Sequence, residues 1–193
     1  MKQKEVIDAG GGWKKITPQQ FICSPFTRIG KEWMLITAGN VQNDKHNWNT
    51  MTASWGGLGV LWAKDVAFAF IRPSRQTFTF ADSASVITLS FFDESWRRSL
   101  NICGSKSGRD TDKAAAGGLT PVVFNDIPCA GTGSGAGSAV SFMEARDVLV
   151  CRKLYIHDID PGKFLDTSIE KHYSGADYHR MFVLEVIDIR TKN

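Results

Sequence analysis

Apolar residues recur along the chain in short runs of strand length, bounded by Gly, Pro, Asn and Asp. Trp33-Met34-Leu35-Ile36-Thr37 predicts a buried strand that runs into a polar turn over residues 39–47. Val66-Ala67-Phe68-Ala69-Phe70-Ile71 is the clearest strand, continuously apolar and stopped by Arg72-Pro73, and Val86-Ile87-Thr88-Leu89-Ser90-Phe91-Phe92 is a second. Pro121-Val122-Val123-Phe124 predicts a brief strand, the partial alternation over 142–158 a long strand or hairpin arm, and Met181 to Ile189 the last strand. Helix signals are short. Thr17-Pro18 marks a start or turn, Ser74 can cap a helix over about 75–82, Asp93 one over 94–102, and Asp160-Pro161 opens a helical segment through Glu170. Many strands and few short helices predict a mainly β fold, one barrel rather than a doubly wound sheet.

Composition narrows this to one globular domain over 1–193, with an N-terminal extension over 1–12 and a flexible Gly/Ser-rich loop over 130–141. Twelve Phe and six Trp favour a β-rich interior or an aromatic-lined pocket. A net charge of +3 is too small to argue for nucleic acid, though it suits a local anion site. The first dozen residues hold no apolar core of signal-peptide length and no segment has membrane-spanning hydropathy, so the expected location is cytoplasmic, away from the membrane. Cys23, Cys103, Cys129 and Cys151 form no C-x-x-C pair; separate reduced thiols are expected, and no metal site.

Three stretches carry candidate chemistry. In Asn49-Thr50-Met51-Thr52-Ala53-Ser54-Trp55-Gly56-Gly57-Leu58-Gly59, small hydroxyl and methyl side chains beside an indole lead into three glycines. That suits a planar ligand such as a flavin ring, whose edge needs oriented hydrogen bonds and whose faces need flat cover; a Gly-rich turn after a strand is the plainer reading. Arg72-Pro73-Ser74-Arg75 stands where a strand stops and a helix starts, a place for an anion or for a solvated cap. The run from Asn101 to Lys113 combines Ser105, Ser107, Gly104 and Gly108 with Lys106, Arg109 and Lys113, enough to meet a dianion or to make a charged surface loop. The nearly uniform Gly, Ser and Ala over 131–138 lacks the spacing of a phosphate loop.

Taken in order, these motifs, with Glu144-Ala145-Arg146, Cys151-Arg152-Lys153-Leu154-Tyr155 and Asp177-Tyr178-His179-Arg180-Met181-Phe182, resemble the flavin reductase-like family with an FMN-binding split barrel, most closely its flavoredoxin-like branch, over about residues 14–190. The resemblance implies FMN rather than FAD. It implies that Thr52, Ala53, Ser54 and Trp55 line the isoalloxazine with Asn49 and Met51 close by. Arg72, Ser74 and Arg75 would hold the ribityl and phosphate end, and Ser105, Lys106, Ser107, Gly108 and Lys113 would complete the phosphate grip. His179 falls where related reductases carry a histidine near the flavin and nicotinamide, and is the candidate catalytic residue; His46, His157 and His172 receive no role. The family's activity would pass electrons from NAD(P)H through FMN to free flavin, ferric iron or a protein; a non-enzymatic electron carrier between proteins is the alternative. A homodimer is implied as well.

Overall fold

A computed structural model of the chain, describing residues 7–8, 10, 12–42, 45–128 and 137–192, gathers the apolar runs into two antiparallel-dominated sheets. The elements in order are β1 (Ile7–Asp8), β2 (Lys14–Ile16), α1 (Pro25–Arg28), β3 (Met34–Gln42), β4 (Lys45–Ala53), β5 (Gly56–Leu61), β6 (Lys64–Ile71), α2 (Gln76–Ser83) and β7 (Val86–Phe91). There follow α3 (Arg97–Ser105), α4 (Lys113–Gly117), β8 (Pro121–Ile127), β9 (Gly137–Phe142), β10 (Asp147–Asp158) and β11 (Arg180–Thr191). The large sheet runs β4-β3-β7-β10-β11-β6-β5, with β2 added to β11; the small one runs β1-β8-β9, β1 being parallel to β8. The fold is a split β-barrel, the mainly β class expected of the sequence. No helix among the described residues is long and apolar enough to cross a membrane.

The large sheet buries both faces, which explains why its central strands read as unbroken apolar runs. Met34, Ile36, Ile87, Leu89, Phe91, Leu149, Phe182 and Leu184 point into the barrel. From the opposite face Leu35, Val148 and Val150 pack with Leu100 and Cys103 of α3, Ala114 of α4 and Val122, Phe124 and Phe142 of the small sheet. A bulge sets the parity: Val150 pairs with Asp188 but Cys151 with Val186, so β11 skips a position and Leu184 and Ile189 both face the interior.

Several expectations are corrected. Residues 39–47 are not a polar turn; β3 and β4 continue as a paired hairpin in register from Met34↔Ala53 to Gln42↔Lys45, because cross-strand pairing does not require apolar side chains. The glycines after Trp55 open strand β5, not a loop. A Cβ on Gly56 would sit 2.7 Å from the Phe68 carbonyl oxygen, so glycine is what lets β5 lie against β6. Ser74 does not cap α2, whose N-cap is Arg75, and Asp93 spends its carboxylate on Arg146. The segment after Asp160 forms three 3₁₀ turns, 161–163, 167–172 and 174–176, because Asp160 and Asp166 fold back onto the N–H groups of Gly162 and Ser168 in place of a propagating helix. Of the loop expected over 130–141, residues 137–141 belong to β9, and 130–136 lie outside the described residues, as does Cys129.

Candidate functional site

β4 ends at Ala53, and Ser54 and Trp55 carry the chain round to β5. Because β5 pairs with β6 and β6 with β11, this bend meets the end of β6 and the start of β11 at one rim of the barrel. There a cleft of about 150 Å³ is lined by Met51, Thr52, Ala53, Ser54, Trp55, Phe70, Arg72, Arg75 and His179. Eight of these nine were singled out from the sequence; Phe70 was not, since an unbroken apolar run does not say which alternate side chain faces a ligand.

The stretch over 101–113 forms the wall behind β4. Thr52 Oγ1 donates to the Leu100 carbonyl, Arg75 Nη1 to that of Gly104 (2.9 Å), and Lys113 Nζ to those of Thr50 (2.8 Å) and Cys103 (3.1 Å). Two cations thus sit where the helix's C-terminal carbonyls gather partial negative charge. Gly108 lies directly on Asn49: a Cβ there would be 2.4 Å from Oδ1, so any other residue would push the Asn49 amide from its place. Asn49 is buried and donates to Thr77 Oγ1 (3.1 Å). The three sequence runs therefore converge, but not all their residues face the cleft. Ser105 donates to the Asn101 carbonyl, Ser107 Oγ accepts from the Arg109 N–H, and Lys106 is exposed. Lys113 is an internal clip rather than an outward cation, and burial lowers its pKa to about 8; burial likewise raises the Cys103 thiol to about 11.

The third wall is a strap, residues 159–179, between β10 and β11. His179 at its end is buried, with Nδ1 3.1 Å from the Tyr173 hydroxyl and its ring 5.1 Å from that of Trp55. Burial, reinforced by Arg72 and Arg75 and opposed by Asp177, lowers its pKa to about 4, so the imidazole is neutral at pH 7. The neutral ring shares one hydrogen bond with the Tyr173 hydroxyl; in the tautomer in which that hydroxyl donates to Nδ1, Nε2–H is the donor that remains. His172, given no role from the sequence, lies 5.5 Å edge-on to Trp55, and its carbonyl accepts from Arg72 Nη2 (2.7 Å). Arg72 also stands 5.2 Å over the Tyr173 ring. Ser74, between the lining residues Arg72 and Arg75, borders the cleft without lining it: its N–H and hydroxyl donate to Asp177 Oδ1 (3.2 Å) and Oδ2 (2.5 Å). No sequence signal assigned Tyr173 or Asp177, because their roles rest on contacts across the fold.

No protein-family model and no curated protein matches this chain. Solved structures do. An FMN-binding domain of a flavin reductases-like enzyme from Shewanella baltica superposes with a TM-score of 0.58 at 12% identity, over 93% of this chain and 77% of that one. A flavoredoxin from Methanosarcina acetivorans gives 0.57 at 18%, over 93% and 76%. The NADH:FAD oxidoreductase SgcE6 of Streptomyces globisporus gives 0.51 at 15%, over 84% and 75%. The chain shares their fold, in line with the resemblance read from its motifs.

Proposed function

We propose that this chain is an FMN-binding flavoprotein that passes electrons from NAD(P)H to an acceptor, free flavin, ferric iron or a protein. The observation that carries the proposal is one cleft in which the short side chains of Thr52, Ala53 and Ser54 and the indole of Trp55 meet the guanidinium-bearing Arg72 and Arg75 and a neutral His179. These residues suit the group's chemistry: oriented short donors and acceptors for the ring edge, an aromatic face beside it, and fixed positive charge for a phosphate. Thr52 to Trp55, with Met51, would hold the isoalloxazine, and Arg72 and Arg75 the ribityl and phosphate end. Asn49 and Gly108 support that wall from behind, and Lys113 ties it to α3. When bound, FMN supplies two-electron transfer between a nicotinamide donor and the acceptor. The chain's part is to orient the ring, exclude water and, through His179 Nε2–H, donate to negative charge developing beside it. The fold shared with proteins described as FMN-binding, as a flavoredoxin and as an NADH:FAD oxidoreductase supports this reading.

The rings of His172, Tyr173 and His179 around Trp55 favour a second reading. A nicotinamide stacked beside Trp55 would meet these rings, which suits a carrier reduced by a protein. We further infer a homodimer working in the cytoplasm, where Cys23, Cys103 and Cys151, all unpaired, stay reduced.

Absorbance of the purified protein and anaerobic mixing with NADH or NADPH test these readings. A yellow band that the nicotinamide bleaches supports the reductase; a yellow band reduced only by a protein donor supports the carrier. A colourless protein that takes up no added FMN removes both. Arg75→Ala should weaken FMN binding about tenfold or more in calorimetric titration, and an unchanged affinity would remove the phosphate assignment.

A further inference from the structure

The strap is fastened to the barrel largely by the residues that line or border the cleft. Arg72 holds the His172 carbonyl, Trp55 meets the rings of His172 and His179, and Ser74 holds Asp177 with two donors on two carboxylate oxygens. A hydroxyl and a main-chain N–H gripping a carboxylate in this way form a seat that suits phosphate oxygens equally well. Arg72, Arg75 and Asp177 all act electrostatically on His179, so the seat and the cleft share one neighbourhood. With the strap fastened, the cleft's 150 Å³ falls below the roughly 300–1,000 Å³ of sites that enclose cofactor-sized ligands. Ahead of Asp177 the chain passes through two left-handed residues, Gly175 (φ 68°) and Ala176 (φ 56°), the second being a conformation an alanine adopts only under constraint.

We propose that Asp177 is a built-in competitor for the phosphate end of the cofactor: it occupies the anion seat at Ser74, keeps the strap shut, and yields when a phosphate monoester takes the same donors. This rests on the FMN reading given above. A monoester carries close to two negative charges against the carboxylate's one, so it is the stronger claimant for the seat. Its arrival frees Asp177, and the strap carrying His172 and Tyr173 then moves off Trp55. Asp177 is a positioning residue that sets how much binding energy is spent on opening.

The test is hydrogen–deuterium exchange of the full chain with and without FMN, joined to FMN titrations of wild type and Asp177→Asn. FMN should speed exchange across residues 159–178 of the wild type. Asp177→Asn should show that fast exchange without ligand and bind FMN about tenfold tighter, since the fraction of competent molecules rises; a merely structural carboxylate would give a loosened strap with weaker or equal binding. If wild type takes up FMN and the strap exchanges no faster, or the variant binds no tighter, Asp177 stays on Ser74 and the proposal falls while the cofactor reading stands. If neither protein takes up FMN, both fall. Should the variant fail to fold, the wild-type exchange alone decides.

Discussion

His179 is the side chain whose environment has the clearest measurable consequence. Its folded pKa, about 4, lies below the ordinary histidine value of about 6.5. Between those values the unfolded chain binds a proton that the folded one refuses, so stability is fully present above pH 6.5 and is lost as pH falls toward 4. Melting temperature should therefore decline over that interval, and His179→Asn should flatten the decline; an equally steep fall in the variant would mean that other groups account for it. Histidine at this position was legible in the sequence, but its neutrality was not, because that follows from burial beside Arg72 and Tyr173. Ser74 and Lys113 teach the same lesson. Their donors could be read from residue type, yet Ser74 spends them on Asp177, 103 positions away, and Lys113 on two main-chain carbonyls. Sequence gives the inventory of donors, whereas the fold decides which remain free.

Among the elements, β7 shows how polar residues can hide inside a strand that reads as apolar. Thr88 and Ser90 alternate with Ile87, Leu89 and Phe91, as if half the strand faced water, but all five are buried. The hydroxyls point at the small sheet instead: Thr88 donates to the Val140 carbonyl (2.6 Å), and Ser90 and Ser141 share a hydrogen bond of 2.8 Å. This joint fixes β9 over the barrel. Ser90→Ala strands the Ser141 hydroxyl in a dry site, at a cost of about 1–2 kcal/mol, whereas removing both hydroxyls leaves no orphan. Urea denaturation should accordingly give a double variant, Ser90→Ala with Ser141→Ala, that is about 1 kcal/mol more stable than the sum of the two single losses implies. Simple additivity would mean that the two hydroxyls act independently. The strands themselves were largely legible, because apolar runs of this length have few other readings. The β3–β4 hairpin tip and β5 were not, since polar and glycine-rich strands are specified by their partners rather than their own pattern.

For the whole molecule, the open question is what the sheet edges meet. β4 and β5 end the large sheet. β4 is covered by α3, through Thr52 and the Leu100 carbonyl, and by Lys113, which takes the Thr50 carbonyl. Among the described residues β5 has no hydrogen-bonded cover of that kind: Val60, 73% exposed, lines an apolar cleft of about 260 Å³ with Phe21, Pro25, Leu58, Val66 and Ile189, and Ile22 (90%) and Phe26 (89%), next in sequence to the lining residues Phe21 and Pro25, are exposed as well. A face that carries both projecting apolar side chains and a hollow to receive them can complement itself across a two-fold axis, and an uncovered edge strand beside it invites the same partner. This is the surface we assign to the inferred homodimer. Light scattering at micromolar concentration should return about twice the 21.3 kDa of one chain, and Phe26→Glu, which puts a charge among those apolar groups without touching the core, should return the single-chain mass with the melting profile of a folded protein. A wild-type mass of one chain would sink the dimer, and a variant that stays dimeric would move the contact to another face.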